Sequence, residues 1–396
     1  MKQVIIFLLL MVSVVAVADD YPITSSTVSA LQWRLVGPAM TSGRIGDFAV
    51  NPDNPAEYYA AASSGGVWKT TNSGVTWKSV FDGEASYSIG CLAMDPKDSQ
   101  VIWVGTGENN SQRSVSFGDG IYKSVNGGKS WENMGLKESE HIGMILVDPR
   151  DSDVVFVAAQ GPLWNAGGDR GLYKTVDGGK TWERILHISD DTGINEVHME
   201  PGNPDVMYAS AYQRRRHVWT LINGGPESGI YKSTDGGKTW DELKSGLPGS
   251  DMGRIGMDVA PTDPARVYAI VEAAEGSGFY RSDNRGVSWR KVSDYISTSP
   301  QYYQEIEVDP KNADRIWSLN TYLSYSDDGG ANWDRADLSA KHVDDHAIWI
   351  DPDFTNHMRV GCDGGIYETW DAGKKWDFKS NVPCTQFYKV HVDSEA

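Results

Sequence analysis

The sequence predicts an all-β fold: a β-propeller of four-stranded antiparallel blades, with seven repeat units present and an eighth begun. Three observations carry this. A box of the form Ser/Thr-x-Asp/Asn-x-Gly-x-x-Trp recurs seven times, with its tryptophans 43 to 58 residues apart. A short apolar run ending in proline recurs in phase with it: FAVNP at 48–52, LAMDP at 92–96, ILVDP at 145–149, VHMEP at 197–201, MDVAP at 257–261, IEVDP at 306–310 and IWIDP at 348–352. No apolar periodicity of 3.6 residues competes with these in the mature chain. A repeat of this length matches one blade, and a lone blade cannot bury both of its faces, whereas a ring of blades can.

Each unit reads in the same order. The proline-terminated run is the first strand, lining a central channel. A polar turn and a second apolar run follow, such as EYYAAAS, VIWVGTG or VVFVAAQ. A loop of variable length then leads to a third strand of the type Gly-Ile-Tyr-Lys-Ser, the box turn and a fourth strand. The box acids and amides are Asn72, Asn126, Asp177, Asp235, Asn284, Asp328 and Asp371; the box tryptophans are Trp77, Trp131, Trp182, Trp240, Trp289, Trp333 and Trp376. An Asp or Asn in a tight turn accepts backbone N–H bonds, and Gly takes a conformation that a β-carbon resists. The tryptophan buries area between blades. Side chains that repeat seven times in one local grammar are read as fold chemistry, not as an active site.

This grammar resembles the Asp boxes, or BNR repeats, of sialidases, xyloglucanase-type glycoside hydrolases and the sortilin-type propeller. The resemblance covers nearly the whole mature chain. It implies the propeller fold but no single activity, since enzymes and receptors both carry the box. In xyloglucanase-like enzymes the catalytic base is an Asp in a Thr-Asp-Ile-Gly-Gly stretch; the matching place here reads Ala62-Ser63-Ser64-Gly65-Gly66, without the Asp. An Asp does stand in Cys362-Asp363-Gly364-Gly365, in the seventh unit. The partner acid of those enzymes lies in a second propeller, so no carboxylate pair at glycosidase spacing is assigned. Gly43-Arg44-Ile45-Gly46 and Gly253-Arg254-Ile255-Gly256 echo only the Arg-Ile of the sialidase signature.

Residues 1–18 read as a secretory signal peptide: Lys2, an apolar run from Val4 to Val15, and Ala16-Val17-Ala18 as the cleavage pattern. Residues 19–32 form a lead-in, and 33–396 the propeller. Trp33 to Pro38 looks like an outer fourth strand, and QFYKVHVD at 386–393 like the first strand of an eighth unit. The reading is therefore of a fragment, followed by further blades of the same ring or by a second propeller. The formal charge of −18 argues against nucleic acid and anionic membranes as partners. No further segment is apolar enough to insert the mature chain into a bilayer. Cys91, Cys362 and Cys384 allow at most one disulfide, and no His/Cys cluster suggests zinc. No cofactor or metal is expected.

Candidate binding residues are sought on the face opposite the boxes. The loops between second and third strands are long in units two, three and four, and offer Glu108, Asn109, Trp164, Arg214, Arg215 and Trp219. The loops entering the first strands add Arg44, Ser88, His141, Glu196, Arg254, Tyr302, Tyr303 and Glu305, and the run Lys341-His342-Val343-Asp344-Asp345-His346. Flat rings, amides and forked cations suit a sugar or an extended peptide. The alternative is that these loops pack on one another. Likewise His346 and Asp345 offer acid–base or metal chemistry, or a hydrogen-bonded plug in the channel. The expectation is an exported sortilin-like propeller that binds a peptide or glycan. The alternative is the N-terminal part of a BNR-repeat glycosyl hydrolase whose catalytic residues lie partly beyond residue 396.

Overall fold

The computed structural model describes residues 43–385. Residues 1–18, read as a signal peptide, the lead-in at 19–32, Trp33 to Pro38 and the run at 386–393 lie outside the described residues.

Seven antiparallel sheets follow one another along the chain, each a four-strand meander, with one extra strand, Thr220–Asn223, paired to the second strand of blade four. Blade one comprises Ile45–Val50, Tyr58–Ala62, Gly66–Thr70 and Lys78–Ser79. The inner strands of the others are Ile89–Met94, Ile142–Val147, Thr192–Glu200, Met252–Val259, Glu305–Val308 and Asp345–Ile350. The second strands Tyr58–Ala62, Ile102–Thr106 and Val155–Ala159 are buried at every residue. Neighbouring blades cover both their faces, which is why they read as continuous apolar runs rather than as an alternation. The outer strands are short and exposed; Lys78–Ser79 and Asp377–Phe378 have two residues each, which leaves little edge for another chain to pair with. The helical content among the described residues is one 3-10 turn, Lys137–Ser139.

The ring closes at seven blades rather than eight or more, because the inner strand of blade seven packs directly on that of blade one. A β-carbon on Gly361 would come within 2.7 Å of Ile45. Ile45, Ala60, Ala62, Ile366 and Val382 form the apolar seam. Across it the Arg359 guanidinium lies 4.1 Å from the Tyr58 ring centre, and Asn381 donates to the carbonyls of Gly74 (2.9 Å) and Val75 (2.8 Å) in the first box.

The boxes join third and fourth strands on the far face. In the fourth box, Ser233 Oγ accepts from Gly237 N (2.9 Å), and Asp235 accepts from the Thr239 N–H (2.9 Å) and hydroxyl (2.7 Å). Gly237 sits at φ +86°, where a side chain is strained. The indoles lean on the preceding blade: Trp131 Nε1 donates to Val80 O (2.7 Å) and Trp182 Nε1 to Met134 O (2.8 Å). A second latch comes from the lysine of the Tyr-Lys-Ser strand. Lys69, Lys123 and Lys174 each reach forward to a glycine carbonyl in the next blade's box: Gly127, Gly178 and Gly236, at 3.2, 3.0 and 2.8 Å.

Candidate functional site

The loop of blade two, residues 107–120, folds over the mouth of the channel and is held from five other blades. Arg44 of blade one pairs with Glu108. His141 of blade three sets Nδ1 3.0 Å from Glu108 O. From blade four, Arg214 donates to Asn110 O (2.9 Å) and Arg216 to Ser111 O (3.0 Å). Arg254 of blade five pairs with Glu305 of blade six (2.8 Å), and Asn109 donates to the same carboxylate (3.2 Å). Ser111 N donates to Gln301 O in blade six (3.0 Å). Burial, then the nearby Arg214, pushes the His141 pKa down to about 3, so this ring is neutral and serves as a strut.

Arg44 also takes Asp363 bidentately from blade seven, Nε at 2.6 Å and Nη2 at 3.2 Å, and lies over the Tyr302 ring. His346 Nε2 is 3.0 Å from the same Asp363. Burial alone would raise the Asp363 pKa; His346 and Arg44 outweigh it and hold the carboxyl below its ordinary value. Beside this cluster, Gly43, Ser63, Ser64, Gly65, Cys384 and Thr385 line a notch of about 320 Å³ at the seam of blades one and seven.

The run at 341–346 divides among separate partners. Asp345 pairs with Lys341, both side chains fully enclosed, and does not reach the mouth. Burial pushes Asp345 up to about 6. Tyr303, also buried, donates to Asp344. Three sequence candidates stand at the rim. Trp164 is 38% exposed and Trp219 82% exposed, while Arg215 is tied to Asp191. Trp219 caps a hairpin made by the long second strand Asn203–His217 and the extra strand Thr220–Asn223, and stacks on His217 with centroids 5.3 Å apart. Arg216 N donates to Leu163 O (2.8 Å), so the hairpin and the Trp164 loop are joined. Arg214, a sequence candidate for ligand binding, points inward and is buried, as is Arg216.

Below the mouth, the inner strands enclose a cavity of about 400 Å³. Its wall includes acids that sequence reasoning passed over: Asp47, Asp258 and Glu307. Two of them stitch one inner strand to the next. Asp47 accepts from Leu92 N and Asp258 from Val308 N, each at 2.7 Å. Glu196 does the same for Met257 N, at 2.9 Å. An acid in an otherwise apolar inner strand was the available signal. Burial pushes Asp47 and Glu305 up to about 7, and Glu307 well above the usual range. Among the described residues, no group of three or more His, Cys, Asp or Glu is placed to hold a metal ion.

A family model described as "BNR/Asp-box repeat" matches residues 231–242. A xyloglucanase of Acetivibrio thermocellus is 23% identical over 325 residues, 69% of this chain and 36% of that protein. Among solved structures, the xyloglucanase of Xanthomonas campestris superposes with a TM-score of 0.62 at 19% identity, covering 87% of this chain and 54% of that one. The structure titled "YCF48 bound to D1 peptide" superposes with a TM-score of 0.54 at 15% identity, covering 86% and 98%. The chain thus spans only part of the xyloglucanases it matches. It is a seven-bladed propeller carrying Asp-box repeats and is similar over part of its length to xyloglucanases.

Proposed function

We propose that this chain is an exported recognition propeller that binds an extended glycan or peptide along the rim of blades three and four. The observation that carries the reading is the pair of exposed indoles, Trp164 and Trp219, on two loops joined by the Arg216–Leu163 hydrogen bond. Exposed flat rings held on a hydrogen-bonded frame offer stacking area at low entropic cost. The mouth of the channel, by contrast, is filled by side chains that already bind one another, so the rim is the surface left for a ligand. The peptide named in one structural neighbour's title and the xyloglucanase names of the other relatives are consistent with polymers of this kind. The test is a glycan and peptide array on the exported protein, repeated with Trp164→Ala and Trp219→Ala. Each variant is expected to lose about tenfold in affinity, roughly 1.4 kcal/mol, with an unchanged melting temperature. Equal binding by both variants, or unfolding in place of lost binding, would sink the reading.

A second reading, part of a glycosyl hydrolase, draws on Asp363. It directly follows the second strand of blade seven, Met358–Cys362, and shares Arg44 with Glu108, and both of these line the seam notch. Release of reducing sugar by the full-length gene product, abolished by Asp363→Asn, would favour it. Binding without release would exclude it.

A further inference from the structure

Beneath the rim, Arg214 is a cation without a counter-charge. It is 1% exposed. Its Nη1 is spent on Asn110 O (2.9 Å) and Ser111 Oγ (3.2 Å). The other edge of the fork, Nε–H and Nη2–H, has no partner among the described residues. The neighbouring Arg215 and Arg254 do have carboxylates, Asp191 and Glu305. Arg170, fully buried close by, is spent on backbone carbonyls, including Gln160 O (2.7 Å), Asn165 O (2.8 Å) and Gly167 O (3.0 Å). Two guanidinium groups are thus enclosed together with no acid at ion-pairing distance. Burial, then repulsion from Arg215, pulls Arg170 down to about 10; burial, then repulsion from Arg170 and Arg254, pulls Arg214 down to about 9. Enclosing charges of one sign is costly unless a partner of the other sign is supplied.

We propose that the Nε/Nη2 edge of Arg214 is a binding site for a small anion, a halide or a carboxylate-sized oxyanion, enclosed by the loops of blades two, three and four. The two parallel N–H groups on that edge form the fork that takes an anion side-on. The same arginine holds Asn110 and Ser111, so the anion fixes the blade-two loop against the base of the rim. The inference stands independently of any ligand on the rim. The chief competitor is Glu140, the half-buried acid whose field acts on both arginines.

The test uses the whole chain and sodium bromide. Crystals grown in bromide are expected to show an anomalous peak within hydrogen-bonding distance of Arg214 Nε and Nη2. In solution, exchanging gluconate for chloride at constant ionic strength is expected to raise the melting temperature by a few degrees and to saturate. That increment disappears in Arg214→Met and survives in Glu140→Gln. An edge occupied by water, or by a Glu140 carboxylate turned inward, would overturn the proposal. So would a chloride increment that is the same in Arg214→Met. If Arg214→Met does not fold, the bromide peak in the wild-type crystal decides alone.

Discussion

At the scale of the residue, Arg44 does more than its neighbours because four blades meet on it. It pairs with Glu108 from blade two and Asp363 from blade seven, and covers Tyr302 from blade six. Its planar fork takes Asp363 side-on through two N–H groups and leaves Nη1 for Glu108; an ammonium has no such fork. Arg44→Met leaves two acids facing each other and is expected to cost roughly 1–3 kcal/mol in urea unfolding, since hydrogen-bonded charges are lost on both sides. Arg44→Lys is expected to recover only part of that. A lysine variant as stable as wild type would show that the bidentate geometry is not used. Arg44, Glu108 and His346 were legible as polar residues near a channel mouth. That they bind each other rather than a ligand was not, because their partners lie up to 319 residues away in sequence.

At the scale of the element, stability resides in the joints between blades. Trp289 is 5% exposed and sits in a cluster with Tyr208, Ile255 and Val267, which joins blades four and five. Trp289→Ala is expected to cost about 3–5 kcal/mol, the range for a buried tryptophan. Trp240, half-buried, is expected to cost less. Ser233→Ala removes the acceptor of the buried Gly237 N–H and is expected to cost about 1–3 kcal/mol without any change in ligand affinity. Chemical denaturation of the three variants checks the order. A neutral Trp289→Ala would contradict the role assigned to the box. The box was readable because the hydrogen bonds of its Ser/Thr hydroxyl and Asp/Asn side chain span four residues or fewer. The lysine latch was missed although Tyr-Lys-Ser recurs, because its acceptor belongs to the next blade.

At the scale of the whole molecule, two sets of acids pull stability in opposite directions with pH. Box carboxylates are hydrogen-bonded in their charged form: backbone and hydroxyl donors from Thr181, with Thr175, hold Asp177 at about 2. Such depressed groups stabilise the fold above the unfolded value near 4 and lose that contribution as pH falls toward 2. The channel acids do the reverse. Asp47 and Glu305, raised to about 7 by burial, hold protons in the folded state that the unfolded chain has released. Between about pH 4 and 7 the folded state therefore binds more protons, and stability falls as pH rises. The ring is expected to be most stable near pH 4 to 5, with a declining slope to about pH 7. Glu305→Gln keeps an acceptor for Arg254 and Asn109 and is expected to flatten that slope. A melting temperature that rises steadily from pH 5 to 8 would refute the assignment.

The repeat was legible in the chain alone: the number of boxes, the four-strand grammar of the blades, and the chemistry of the turn. These depend on contacts between residues close in the chain, so their pattern is written in order. What the long loops do was settled by the assembled ring. The blade-two loop turns inward and is bound by arginines more than a hundred residues away, whereas Trp219, with no such partner, is left in solvent. A polar loop carries equal capacity to bind its neighbours or a ligand. Which of these it does depends on which donors and acceptors the ring brings within about 3 Å, and a linear pattern does not encode that distance.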